Sequence, residues 1–126
     1  MTTKEGASDL EQVRERPVLG VDPHEDAVVV RLGGELDLYN APLVRDALVD
    51  AAAGKPARLV VDLSEVSFID STALGVLIEA RTRLANRRAF LLAAPQVETR
   101  RALQVSGLDR HLSVHDSVAD ALAVAL

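Results

Sequence analysis

The chain contains no cysteine and no tryptophan. Disulfides, thiolate metal sites and cysteine nucleophiles are thereby excluded. Aromatic residues are nearly absent, with one Tyr and two Phe among 126 residues. That scarcity argues against a nucleic-acid surface built on stacking platforms, and it obliges any interior to be packed with Leu, Val, Ile and Ala. Basic charge is in deficit as well. Fourteen Lys and Arg face 19 Asp and Glu, a formal net charge of −5, so the electrostatic footprint of direct nucleic-acid binding is missing. No apolar run approaches the roughly twenty residues needed to span a bilayer, and the first residues lack a signal-peptide core. The expectation is a cytoplasmic protein without a membrane partner. The three histidines, His24, His111 and His115, are scattered and read as surface or edge residues, so no metal and no cofactor are expected.

What is present is aliphatic and periodic. Hydrophobic residues make up 48% of the chain, enough for one domain with a true core and too little length for two. Met1 to Arg16 is polar without sustained period and reads as a mobile arm, leaving 17–126 as the domain. Val18 to Val21 and Ala27 to Leu32 read as two strands around the turn-like Asp22-Pro23-His24-Glu25-Asp26, an antiparallel pair. Gly33-Gly34 is expected to end the second strand, with Glu35 to Tyr39 as a loop or brief extended segment. Asn40 is placed to cap a helix with Pro42 near its first position. Leu43, Val44, Ala47, Leu48 and Ala51 form its apolar face, and Gly54 and Pro56 stop it.

Arg58 to Leu63 is apolar on both faces at its centre, the pattern of an interior strand covered on both sides. A polar turn is expected to follow, then a helix from Asp70-Ser71-Thr72 with Leu74, Leu77, Ile78 and Leu84 inward. Arg81, Arg83, Arg87 and Arg88 fall off that stripe and read as a solvated group or a rim contact to a partner. Ala89 to Ala93 is the next buried strand. Pro95 is expected to open a helix that Gly107 closes. Leu112 to Val114 is a minimal strand, and Asp116 or Ser117 caps a last helix with Val118, Ala121, Leu122 and Ala125 inward. The order β-β-α-β-α-β-α-β-α predicts one α/β domain with a small, mixed, mostly parallel sheet and about four helices.

The corner Asp70-Ser71-Thr72 holds the chemistry. Capping alone accounts for these residue types, because their oxygens accept from the free amides of a first helical turn. The same place would also tolerate a phosphate, since a helix N-terminus carries about half a positive charge. Phosphorylation there would add roughly −1.5 to −2 charge at a surface without unfolding the domain. Asp37 and Asp70 could suggest a carboxylate pair, but no nucleophile with a base and an oriented third group is visible, so no enzyme is expected. Gly33-Gly34 lacks the sequence of a phosphate loop.

Three motifs carry a family resemblance: Gly34-Glu35-Leu36-Asp37, Val61-Asp62-Leu63-Ser64, and Phe68-Ile69-Asp70-Ser71-Thr72-Ala73-Leu74-Gly75-Val76-Leu77. Together with the closing Ser106-Gly107-Leu108-Asp109-Arg110, they resemble the STAS domain of bacterial anti-sigma factor antagonists from about Val18 to Leu126. The resemblance implies a partner-switching regulator of transcription. Its unphosphorylated form binds an anti-sigma factor, which then frees a sigma factor. That anti-sigma factor is a serine kinase that phosphorylates the antagonist and so ends the complex, and a metal-dependent serine phosphatase restores it. Carried onto this chain, the phosphoacceptor is Ser71, with Thr72 as the second choice. The partner-binding residues are Glu35, Asp37, Asp70, Ser71, Thr72, Ala73, Leu74 and Gly75. Ala73 stands where many members carry Gly. The alternative role for the same fold is a STAS adaptor subunit of a larger signalling or lipid-transport assembly. A small-molecule sensor would need a concave pocket with convergent polar groups, which the sequence does not display.

Overall fold

A computed structural model describes residues 16–126; the arm expected over Met1 to Arg16 lies outside them except for Arg16. Strands β1 (Val18–Pro23), β2 (Ala27–Leu36), β3 (Arg58–Ile69), β4 (Phe90–Ala93) and β5 (Ser113–His115) form one sheet in sequence order. β1 pairs antiparallel with β2, and every later pair is parallel. The helices are α1 (Ala41–Ala53), α2 (Ser71–Thr82), α3 (Val97–Ser106) and α4 (Val118–Leu122), with short 3-10 turns at Arg87–Ala89 and Leu108–Arg110. The expected order and the mixed, mostly parallel sheet are both found.

The run Val60-Val61 has the double burial that its composition demands. Val61 faces a large core shared with Val44 and Leu48 of α1, Leu77 of α2 and Leu103 of α3. Val60 faces a smaller core closed by Ala121, Val118 and Leu122 of α4. Each fully buried Leu or Val contributes about 1.5–3 kcal/mol relative to exposure, so an aliphatic interior with Phe90 as its one buried aromatic among the described residues suffices.

Two expectations fail at the strand ends that carry the corner. β2 does not stop at Gly33-Gly34 but runs to Leu36, and the polar stretch Ser64 to Ser67 is strand, not turn. The pairing register explains both. Between Arg31↔Asp62 and Gly33↔Glu65, and again between Gly34↔Val66 and Glu35↔Phe68, β3 advances one residue more than β2. Each such bulge shifts which side chains face inward, so Leu63, Val66 and Ile69 are buried at intervals of three, which a search for strict alternation misses. Gly34 accommodates the second bulge at φ +73°, a region open to glycine at little steric cost.

Smaller corrections concern helix limits. Leu43 is exposed, not inward. α2 ends at Thr82, although Leu84 beyond it is still buried, and Arg87 and Arg88 lie in a 3-10 turn. α3 starts at Val97, not Pro95, because the Ala94 amide donates to the His115 carbonyl at 2.9 Å and prolongs the sheet contact. α4 ends at Leu122, which leaves Ala125 exposed.

Candidate functional site

The parallel strands β2 and β3 end side by side, with Leu36 paired to Ile69; β2 leads through the short loop 37–40 into α1, and β3 leads through Asp70 into α2. The two connections therefore meet. Asp70 joins them through both carboxylate oxygens. Its Oδ1 accepts from the Ala73 amide at 3.0 Å, capping α2. Its Oδ2 accepts from the Leu38 amide at 3.0 Å, across to the loop before α1. The Asp70 amide itself donates to the Leu36 carbonyl at 3.0 Å. One aspartate thus caps its own helix and fixes the neighbouring loop, so capping is only half of its role.

Asp37 and Asn40 shape that loop. Asp37 Oδ1 accepts from the amides of Tyr39 (2.9 Å) and Asn40 (3.2 Å). Asn40 accepts from the Asp37 amide at 2.9 Å and donates through Nδ2 to the Glu35 carbonyl at 2.7 Å. The Asn40 side chain makes no helix-capping bond; it closes the turn instead, a competing use of short polar side chains. Glu35 remains exposed at the end of β2.

The expected site residues divide by their position on α2. Ser71, Thr72 and Gly75 are exposed, whereas Ala73 (1% exposed) and Leu74 (7%) turn into the core. A surface at this corner is consequently made by Ser71, Thr72 and Gly75 with Asp37 and Glu35, and Ala73 and Leu74 support it from beneath. Residues that the sequence reading passed over complete it. Leu38, Tyr39 and Phe68 are 60%, 80% and 51% exposed, a set of large apolar side chains around the two strand ends. The available signal was that Leu38 and Tyr39 belong to no helical stripe, and apolar residues without a core position invite another explanation.

In the first turn of α2 the Ala73 amide is bound to Asp70 Oδ1 and the Leu74 amide to the Asp70 carbonyl. The Ser71 and Thr72 amides have no hydrogen-bond partner among the described residues, and they sit beside the Ser71 hydroxyl at the positive end of the helix.

The STAS domain family model matches residues 20–121. The chain belongs to the STAS domain family. This STAS domain is 32% identical over 102 residues to the anti-sigma-F factor antagonist RsfB of Mycobacterium tuberculosis, covering 81% of this chain and 84% of that one. It is 30% identical over 105 residues to the anti-sigma F factor antagonist of Paenibacillus polymyxa, covering 81% and 89%. A crystal structure of an anti-sigma factor antagonist from Mycobacterium paratuberculosis superimposes with a TM-score of 0.77 at 33% identity, covering 82% of this chain and 88% of that one. The resemblance drawn from the motifs thus holds over the domain.

Behind the corner, the STAS domain holds α1 and α2 together with an ion-pair clamp. Arg45 of α1 meets Glu79 of α2 at 3.0 Å, and Arg83 reaches the same carboxylate at 3.1 Å. Hydrogen bonds from Arg45 and then Arg83 hold the Glu79 carboxyl below its ordinary value, and the same partner raises Arg45. All three groups are substantially exposed, so solvent and salt screen the clamp. Among the described residues, no cluster of three or more His, Asp or Glu could hold a metal ion, and no helix is long and apolar enough to cross a membrane.

Proposed function

We propose that this STAS domain is an anti-sigma factor antagonist that acts in the cytoplasm by binding, without catalysis of its own, and that Ser71 is its switch. Unphosphorylated, the Ser71 corner docks on an anti-sigma factor with serine-kinase activity, which then releases its sigma factor. Transfer of the ATP γ-phosphate to Ser71 Oγ ends the complex, and a metal-dependent serine phosphatase regenerates it. Thr72 is the second acceptor within reach.

The observation that supports this reading is the setting of Ser71. It is exposed at the first position of a twelve-residue helix, beside two unbound amides, at the strand ends that also carry the exposed Leu38, Tyr39 and Phe68. The amides and the helix dipole favour an anion there. The apolar side chains provide a surface that is worth burying against a partner and that a dianion would render costly to desolvate. Phosphate can therefore be accepted by the fold and rejected by the interface.

The test incubates the full chain with anti-sigma kinases and ATP, then locates phosphate by mass spectrometry. The expected product carries one phosphate on Ser71. Phosphate confined to sites outside Asp70-Ser71-Thr72, or its absence with every kinase that binds the protein, would overturn the switch and leave the adaptor role. Ser71→Ala should bind the kinase but resist modification, whereas Ser71→Glu should bind more weakly; equal affinities for the two variants would contradict the electrostatic argument.

A further inference from the structure

At the other end of the strands from Ser71, where β4 and β5 begin, the surface folds into a cleft of about 310 Å³. Four arginines line it, and they come from three separate parts of the chain: Arg81 from the last turn of α2, Arg87 and Arg88 from one 3-10 turn, and Arg110 from the other. His111 stands beside Arg110, Leu91 contributes to the apolar part of the lining, and the last residues Val124 to Leu126 close one side of it. The ion pairs among the described residues employ Arg31, Arg45, Arg83 and Arg100, so none of the four cleft arginines is neutralised there. In a chain of net charge −5, this gathers four guanidinium groups without side-chain ion-pair partners among the described residues in one concave place. A like-charged cluster destabilises itself unless an anion is present to offset it.

We propose that this cleft is a binding site for a small phosphorylated anion, a diphosphate or a phosphomonoester with a compact body. Guanidinium groups present paired N–H donors that match phosphate oxygens and stay charged at every physiological pH. Phosphate, with several oxygens in different directions, can engage arginines that arrive from separate elements. The volume and the apolar lining suit a compact molecule better than a chain segment. The site is independent of the Ser71 reading: Arg81 lies ten residues beyond Ser71, about 15 Å along the axis of α2 at the usual helical rise.

The experiment titrates the full chain with pyrophosphate at constant ionic strength, followed by calorimetry and by backbone amide NMR. Saturable binding of one pyrophosphate is expected, with shifts concentrated at Arg87 to Leu91 and Arg110 to Ser113. Arg87→Ala/Arg110→Ala should weaken it by at least about tenfold, because two charge-assisted contacts are lost. Arg101→Ala, on the exposed face of α3 and outside the cleft, should leave affinity unchanged. Circular dichroism of each variant checks that the fold persists. Absence of saturable binding, undiminished binding by the double variant, or binding of polyglutamate in place of pyrophosphate would overturn the proposal.

Discussion

Asp70 is the residue whose removal tests the construction of the corner most directly. Asp70→Ala deletes two acceptors at once: the cap on the Ala73 amide and the bond to the Leu38 amide, each at 3.0 Å. Loss of an aspartate cap costs about 0.5–2 kcal/mol, and loss of a further partly exposed hydrogen bond costs about 0.5–1.5 kcal/mol. The sum is about 1–3.5 kcal/mol, which for a domain near this size lowers Tm by about 4–14 °C at roughly 4 °C per kcal/mol. Asp70→Asn retains one acceptor oxygen and should fall between the variant and the parent. Thermal unfolding gives the magnitude, and hydrogen exchange gives the location. Exchange should quicken at Ala73 and also at Leu38, which lies 32 residues before Asp70. An unchanged Tm, or a Leu38 amide as protected in Asp70→Ala as in the parent, would refute the account of one carboxylate joining two connections.

Other outcomes follow from the same geometry. Tyr39→Ala and Phe68→Ala should each change stability by less than about 0.5 kcal/mol, as exposed positions do, yet weaken binding to the proposed anti-sigma factor partner by more than about 1 kcal/mol; parental affinity in both would remove the apolar residues from the proposed interface. Leu77→Ala, at a fully buried position of α2, should cost about 2–5 kcal/mol and lower the denaturation midpoint without changing the m-value. Because the Glu79 carboxyl is held below its ordinary value, its ion pairs contribute stability above the unfolded carboxylate pKa and lose that contribution as pH falls through the lowered folded value. Parent and Glu79→Gln should therefore differ most near neutral pH and converge in acid, and high salt should shrink the gap; a gap that widens in acid would reverse the sign of the argument.

Much of this molecule was legible because its signals are local. Helix α2 begins where Asp70 offers a cap and Ser71 opens an apolar period, and α3 closes at Gly107 with φ +77°, both consequences of residue type at a chain terminus of a helix. The doubled hydrophobicity of Val60-Val61 announced an interior parallel strand, since a parallel sheet must be covered on both faces. The continuation of β2 and β3 was not legible. It depends on where one strand slips against its neighbour, and the bulges that set this are properties of a pair of strands and not of either sequence alone.

The sequence by itself determined the class of the domain, the order of its elements, its aliphatic core and Ser71 as the exposed hydroxyl at a helix start. Those features rest on periodicity and on capping, which act over a few residues. Only the tertiary structure decided that Ala73 and Leu74 point inward while Leu38, Tyr39 and Phe68 stay exposed near the strand ends that lead to Ser71, because facing depends on which neighbour buries each side of an element. Only it decided that Asp70 serves two connections, and that Arg110 meets Arg81, Arg87 and Arg88 in one cleft. Residues 29 positions apart become neighbours through sheet order alone, and no local pattern in the chain records that proximity.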